Sequence, residues 1–331
     1  MSRSLARGGS GARRRSSSSA PPPPQPAYVL HSYDWSESSL VVELFARELG
    51  RVIVVARGAK RPHSQLRAVL LPLQRISVHL SARRRSSAPE ATGDDASHGQ
   101  VPQDGGDDSE FHLLRSAEWA SGSALPGGAA LMSGFYLNEL LLRALARHDP
   151  HPELFDAYAA TLPLLGAGDP DETTVAGARL AAALRAFELR LLRSTGLLPE
   201  FDRVTATQAA LDLHDPEARY LLRGEAGLMD VRHLRHMERH LERDGETPWG
   251  ELRLAREEGG GGLIAPLCLA IESALQQDDL LALQTACLGA PGELKQQLRR
   301  TLHYHFGERA LRTRQVMQGI QQLLGGTGSS A

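Results

Sequence analysis

The pattern of hydrophobic and polar positions changes character once along the chain, near residue 121. Before that point, apolar residues form short runs rich in valine, isoleucine and leucine. Polar segments such as DWSESS and RGAKRPHS separate these runs, and their composition is typical of turns. Runs of this kind predict β-strands. The predicted strands are 28–33, 40–45, 52–56, 68–80, with a break or bulge at Pro72, and 111–114.

After residue 121 the apolar positions recur every three to four residues, which predicts helices. The predicted helices are 132–147, 152–165, 175–195, 231–243, 266–277, 280–288, 292–306 and 313–324. Five short strands with a long loop before the last fit a five-stranded oligonucleotide-binding (OB) barrel. The expected fold class is therefore α+β and multi-domain, with an N-terminal five-stranded OB-fold β-barrel followed by an all-α helical domain.

Composition sets the expected domain boundaries. We expect the OB domain to comprise residues 28–120 and the helical domain residues 121–324. Residues 1–27 are rich in Arg, Ser and Pro and have little to bury, which predicts a disordered tail. Residues 86–110 form an acidic insertion rich in Gly, Ser and Pro, and residues 325–331 end the chain. We expect both of these segments to be disordered as well.

Positive charge is concentrated in the first quarter of the chain. Residues 1–88 contain 15 Lys and Arg but 4 Asp and Glu, which gives a net charge of +11. The remainder holds 22 of the 37 basic residues and 35 of the 39 acidic residues, a net charge of −13. The overall charge of −2 therefore hides an asymmetry that points to an anionic ligand for the N-terminal part.

The leading candidate site is the turn RGAKRPHS with its flanking strands. Phosphate binding needs several cations along one face, together with small residues that allow close approach. The turn supplies both, and the candidate phosphate-binding residues are Arg51, Arg57, Lys60, Arg61, Ser64, Arg67 and Arg75. A solvated charged turn is the alternative interpretation. The predicted barrel has few aromatic residues for base stacking, so we expect binding through the backbone that tolerates any sequence.

The histidine-rich stretch VRHLRHMERHLERD is the second candidate. His233, His236 and His240 share one face of the predicted helix and could ligate zinc. However, Met237 stands where the zincin motif requires glutamate, so a solvated polar flank is favoured over a metal site. A metal-dependent hydrolase built on this helix remains an alternative, and chelator-sensitive turnover would favour it. An RNA-binding OB protein is another, which a preference for ribose-containing strands would favour.

The remaining sequence features favour a cytoplasmic protein without catalytic activity. Cys268 and Cys287 lie in apolar helical contexts, which is typical of buried thiols in a reducing compartment. No apolar run approaches the ~20 residues needed to span a bilayer, and no signal peptide is expected. The chain shows no GxSxG, Cys/His or paired-carboxylate pattern. We therefore expect no enzyme activity, no cofactor and no membrane contact.

Four ordered blocks of sequence resemble one known family. They are YVLHSYDWSESSLVVELFARELGRVIVVARGAKRPHSQLR, GFYLNELLLRALARHDPHPELFDAYAATL, LRAFELRLLRSTGLLPEFD and LRRTLHYHFGERALRTRQVM. These blocks are similar to the bacterial recombination mediator family RecO. The resemblance implies an OB domain on a helical domain with no catalytic centre. It also implies DNA binding by the basic N-terminal module that contains the candidate residues given above.

The resemblance further implies partners and a cellular role. Family members bind single- and double-stranded DNA and anneal complementary strands. They pair with RecR and engage the C-terminal tail of single-stranded-DNA-binding protein (SSB), so that RecA can load during repair through the RecF pathway. A location in the cytoplasm at the nucleoid follows from that role.

The chain departs from the family pattern in two places. Many relatives carry a four-cysteine zinc site just after the block that ends in GLLPEFD, whereas the segment RVTATQAALDLHDPEA contains no cysteine. Zinc is therefore not expected, and packing must hold this segment. The N-terminal tail and the acidic insertion are also unusually long for the family.

The acidic insertion generates the first testable prediction. Its seven carboxylates follow the basic strands in the chain and are expected to compete weakly with DNA for the basic surface. Deletion of residues 88–109 should therefore tighten binding of a single-stranded oligonucleotide at low salt, as measured by fluorescence anisotropy. An unchanged affinity would contradict this idea.

Overall fold

The structure is a computed structural model that describes residues 23–81, 111–120, 126–167, 174–233, 262–307 and Thr313. Residues 1–22, 82–110 and 325–331 lie outside these ranges, and so do most of the predicted helices 231–243 and 313–324. The predictions of a disordered tail, a disordered insertion and a disordered C-terminus therefore remain predictions. None of the helices within the described ranges has the length and apolar character that a membrane crossing requires.

The N-terminal part is a closed five-stranded barrel. Its strands are β1 (Gln25–Asp34), β2 (Leu40–Ala46), β3 (Gly50–Ala56), β4 (Arg75–Leu80) and β5 (His112–Trp119). They close in the order β1-β2-β3-β5-β4, with β4 pairing back onto β1. The β3–β5 pair is parallel and the other pairs are antiparallel. The predicted α+β fold class, an OB-type barrel followed by a helical region, is confirmed.

One predicted strand begins later than expected. The stretch from residue 68 was predicted to be extended, but Leu66–Val69 forms a short helix, α1, and β4 begins only at Arg75. Two residues between them prevent regular pairing. Pro72 has no backbone N–H to donate, and Leu73 adopts a φ of 68°. The extended part of this segment is therefore the second half of the prediction.

The helical region is organised around one central helix. Its helices are α2 (Gly128–Ala144), α3 (Pro152–Ala167), α4 (Val175–Ser194), α5 (Ala265–Gln276), α6 (Leu280–Cys287) and α7 (Pro291–Phe306). From Ala186 to Leu192 every residue of α4 is buried, so this half of α4 has neighbours on all sides. The helices α3, α6 and α7 pack against it. The layers therefore run from the barrel through α2 and α3 to α4, and then to α7.

A two-stranded hairpin lies within the helical region and was not predicted. It consists of β6 (Tyr220–Arg223) and β7 (Gly227–Asp230). Each strand has four residues, which is too short for a period of two to stand out from a helical pattern. The side chain of Gln297 on α7 accepts a hydrogen bond from the Leu222 N–H at 2.6 Å. This contact satisfies a buried backbone donor and joins α7 to the hairpin.

The outward face of the barrel strands is apolar where it meets the helices. Alternation places Val42, Leu44 and Val52 inside the barrel, so Tyr28 and Phe45 point outward. Both aromatic rings join the core of the helical region. The Tyr28 ring lies 5.2 Å from Phe155 and 4.9 Å from Tyr158, and the Phe45 ring lies 5.5 Å from Phe155. An aromatic cluster therefore joins the barrel to α3.

A buried ion pair lies beside this aromatic cluster. The Arg51 Nε lies 3.1 Å from the Glu43 Oε2, and both residues are buried. Arg51 Nη1 also donates to the carbonyls of Leu142 and Leu145, at 2.7 and 3.0 Å. These carbonyls end α2 and have no partner within the helix. Arg51 therefore caps α2 from the barrel, with a charge of the sign that a helix C-terminus favours.

The backbone of β3 is in direct contact with the loop that follows α2. The His148 N–H donates to the Arg51 carbonyl at 2.9 Å. At Gly50, which has a φ of 69°, an added Cβ would lie 2.0 Å from the Asp149 carbonyl oxygen. A larger residue at Gly50 would therefore push the loop away from the barrel.

A β-bulge in β1 supplies the third contact at this junction. The register shifts between Val29 and His31, which turns Leu30 toward the helical core. The Asn138 side chain on α2 donates to the freed Leu30 carbonyl at 2.8 Å. Tyr158 in turn donates its hydroxyl proton to the Asn138 carbonyl oxygen. Burial raises the pKa of Tyr158 well above its usual value, so it keeps this proton.

The buried ion pair generates the second prediction. Arg51→Ala should lower the free energy of unfolding by about 3 kcal/mol, because the Glu43 carboxylate stays buried after its main partner is lost. Arg147, 3.6 Å from Glu43, compensates only in part. Urea denaturation measures the change. Arg47→Ala is the control, since Arg47 forms a solvent-exposed pair with Asp156 and its loss should have much less effect. Equal losses in the two variants would contradict the role of Arg51.

Candidate nucleic-acid interface

Two loops meet at the end of the barrel that is formed by the end of β1 and the start of β2. The Lys60 side chain crosses between the loops: its Nζ donates to the Ser36 carbonyl at 3.0 Å and lies 3.2 Å from Asp34. The Lys60 N–H donates to the Ser38 carbonyl, also at 3.0 Å. The β1–β2 loop and the basic turn after β3 therefore form one surface, which we call the loop face (residues 35–39 and 57–64).

The basic turn is anchored by a small buried residue between charged ones. Ala59 is fully buried in the barrel core, whereas Arg57 and Arg61 on either side of it are exposed. Gly58 has a φ of 69°, and the Arg61 N–H donates to its carbonyl at 3.2 Å. This left-handed position favours glycine. The turn thus holds two guanidinium groups outward on a fixed backbone.

The turn continues toward α1 with further candidate residues. Ser64 is half-buried, and its N–H donates to the Arg61 carbonyl at 3.0 Å. Arg67 is exposed in the last turn of α1. Among the residues that the structure describes, Arg57, Arg61 and Arg67 have no side-chain hydrogen bond or ion pair. Their charges are therefore directed to solvent, which is the arrangement that an anionic ligand requires.

The geometry removes Arg51 from the candidate set. The sequence places it among basic residues, but its guanidinium group is buried and donates to Glu43, Leu142 and Leu145. A buried guanidinium with these partners cannot reach a phosphate. The signal was available in the sequence, since Arg51 lies in the otherwise apolar strand GRVIVVA. A cation within such a strand indicates a buried partner.

Arg75 also lies away from the loop face. It begins β4 and pairs with Tyr28 at the junction with α3. Its guanidinium carbon lies 6.0 Å from the centre of the Phe155 ring, which is within the range of a cation–π contact. Arg75 is half-buried and remains a candidate at the rim, whereas Arg57, Lys60, Arg61, Ser64 and Arg67 lie together on one continuous segment.

The outer face of β2 and β3 is covered by other parts of the chain. OB folds commonly bind oligonucleotides on this face together with the adjoining loops. Here Val41, Glu43 and Ile53 are all at most 4% exposed, and Phe45 packs into the helical core. A strand therefore cannot lie on this face without displacing the helices. The loop face remains as the exposed part of the usual OB ligand site.

One aromatic residue for base stacking is present on the loop face. Trp35 is 37% exposed and directly precedes Ser36, whose carbonyl accepts from Lys60. His31 and Tyr33 lie behind it on β1 with their rings 4.4 Å apart. Tyr28 and Phe45, the other two aromatics of the predicted barrel, are buried at the junction. The sequence analysis did not single out Trp35, although its place in the polar segment DWSESS indicates exposure.

The other residues considered from the sequence have structural roles or lie outside the described ranges. Arg185, Arg190 and Arg193 each pair with a carboxylate, namely Glu188, Asp278 and Glu272 respectively. Burial raises the pKa of the Cys268 and Cys287 thiols to about 12, so both remain protonated. His233 is exposed at the limit of the described residues, and His236 and His240 lie outside them. Within those residues, no cluster of three His, Cys, Asp or Glu could hold a metal ion.

A closed OB-type barrel with a cationic loop face defines a class of protein that binds oligonucleotides. Comparison with known families identifies the family within that class. The model for Recombination protein O N terminal matches residues 24–89, and the model for Recombination protein O C terminal matches residues 127–257. The chain belongs to the RecO family.

Similar proteins agree with this assignment. The chain is 44% identical over 300 residues to the DNA repair protein RecO of a Polaromonas species, which covers 90% of this chain and 97% of that protein. It is 45% identical over 301 residues to the protein of the same name from Polaromonas naphthalenivorans, with the same shares of each chain. The protein of that name from Albidiferax ferrireducens is 40% identical over 300 residues, which covers 90% of this chain and 96% of that protein.

Proposed function

We propose that this protein is a recombination mediator of the RecF pathway that binds single- and double-stranded DNA through the loop face. The relatives are named DNA repair proteins, and the match extends over almost their full length. The proposal assigns the protein no catalytic step and no cofactor. Its work is to hold DNA strands and to bring partner proteins to them, in the cytoplasm at the nucleoid.

The observation that carries the proposal is the set of solvent-directed cations on a rigid turn. Arg57 and Arg61 flank the buried Ala59, and Lys60 joins the turn to the β1–β2 loop. Each phosphate that contacts one of these cations releases condensed counterions, which favours binding at low salt. The turn backbone is fixed before the strand arrives, so little conformational entropy is lost on binding.

The loop face reads the phosphate backbone and does not read base edges. Trp35 can stack on a base, and every base offers a π-face to such a ring. The arginines contact phosphates, which carry no sequence information. We therefore expect binding that tolerates any sequence, as a protein that acts at gaps and breaks throughout a genome requires.

Partner proteins supply the second half of the proposed mechanism. The proposal has the helical region hold the acidic C-terminal tail of SSB, which keeps the loop face near SSB-coated DNA. Proximity raises the local concentration of the loop face, so strands are delivered for annealing or, together with RecR, for RecA loading. Arg185, Arg190 and Arg193 are already paired with carboxylates, so they are poor candidates for contacts with this tail.

The third prediction tests the loop face directly. Arg57/Lys60/Arg61→Ala should weaken binding of a single-stranded oligonucleotide at low salt by tenfold or more, since three phosphate contacts are lost. The plot of log affinity against log salt should become shallower by about 2, because each contact contributes about 0.7 for a single strand. The annealing of SSB-coated complementary oligonucleotides should slow in parallel.

A matched control removes the same number of charges elsewhere. Arg47, Arg203 and Arg232 each pair with a neighbouring carboxylate, so Arg47/Arg203/Arg232→Ala should leave the salt dependence unchanged. A loop-face variant that keeps the wild-type salt dependence would contradict the proposal. So would a control variant that loses as much affinity as the loop-face variant.

A further inference from the structure

The last described helix, α7, has a buried face and a basic face. Leu294, Leu298 and Leu302 are buried, and the helix packs against α4 and β6. The opposite side carries exposed Lys295, Arg299 and His303, which follow one another at intervals of four residues. At 1.5 Å per residue, these three side chains form a row about 12 Å long on a single side of the helix.

The basic face has no acidic residue of its own helix to neutralise it. From Leu294 to Phe306 the sequence LKQQLRRTLHYHF contains no Asp or Glu. The neighbouring hairpin adds Arg223 on one side, although its turn also carries the exposed Glu225. Burial and the nearby Arg223 guanidinium lower the pKa of Arg300, so two cations lie close together here. Positive charge is therefore concentrated across α7 and β6.

An aromatic ring is fixed at the end of this row. Tyr304 is 51% exposed, and its ring lies on the backbone of the hairpin turn. A Cβ added at Gly224 would lie 2.2 Å from the Tyr304 Cδ1, so the ring can occupy this position only because residue 224 is glycine. His305 contacts the edge of the same ring at 5.1 Å. The ring is therefore held in place while much of it faces solvent.

The basic face of α7 is separate from the loop face. The barrel packs on α2 and α3, and α4 lies between α3 and α7. A helix layer is about 8–10 Å thick, and two such layers separate the barrel from α7. A strand on the loop face thus leaves the α7 surface open to a second ligand.

We propose that Lys295, Arg299, Arg300, His303 and Tyr304 form a second binding surface for single-stranded nucleic acid. The cations would contact successive phosphates, and Tyr304 would stack on a base. A row of cations along a convex helix suits a linear polyanion. An acidic peptide with an apolar end would require a concave apolar pocket instead. The inference rests on the proposed function in one respect, since the loop face holds the first strand.

Two strand-binding surfaces on one chain would account for annealing without catalysis. Each surface holds one strand by its phosphates and leaves the bases available for pairing. Pairing then becomes an encounter between strands already held on the same protein, which raises their effective concentration.

The test uses the full-length chain and short oligothymidylate, with bound strands per chain counted by native mass spectrometry at low salt. The wild type should bind two strands, and Lys295/Arg299→Gln should bind one. Arg179/Arg203→Gln, which removes two exposed charges elsewhere, should still bind two. The annealing rate of complementary strands without SSB should fall at least fivefold in the α7 variant alone.

The outcomes separate this inference from the proposed function. A wild type that binds one strand per chain would overturn the second surface and leave the loop face intact. A wild type that binds no strand would overturn both. If the α7 variant keeps both strands but loses an acidic peptide that ends in an aromatic residue, the face is a peptide site and the inference is wrong.

Discussion

The architecture depends on the buried contact between Glu43 and Arg51. A buried carboxylate is stable only when a cation and further hydrogen bonds compensate for its lost hydration. Here the compensating guanidinium also caps the end of α2, so the same group stabilises a strand pair and a helix terminus. The barrel and the helices are therefore held in one arrangement, and the aromatic cluster beside the ion pair supplies the apolar part of the contact.

This arrangement decides which surfaces can serve as binding sites. Because the outer face of β2 and β3 is covered, the barrel cannot use the whole of the usual OB ligand face. What remains exposed is the loop face with its fixed cations, and on the far side of α4 the basic face of α7. The helical region is thus more than a support for the barrel, since it both restricts one binding surface and presents another.

The sequence predicted the barrel well because its strands carry β-branched residues and its turns carry Gly, Pro and Ser. It predicted the cationic turn because charge depends on composition alone. It could not place Arg51, because burial depends on what packs over a strand, and here α2 packs over it from 91 residues away. The hairpin at Tyr220–Arg223 was missed for a related reason, since four-residue strands have no clear period and their pairing is set by neighbours such as Gln297.

Hydrogen–deuterium exchange with and without a single-stranded oligonucleotide tests the central claim most directly. The account predicts that bound DNA slows exchange in peptides that cover residues 57–67 and 35–39. Peptides from the outer face of β2 and β3 should exchange slowly in both states, since the helices already cover them. Slower exchange on binding at residues 41–45 and 51–55, with none at the loop face, would show that the helices move aside for the strand and would contradict the account.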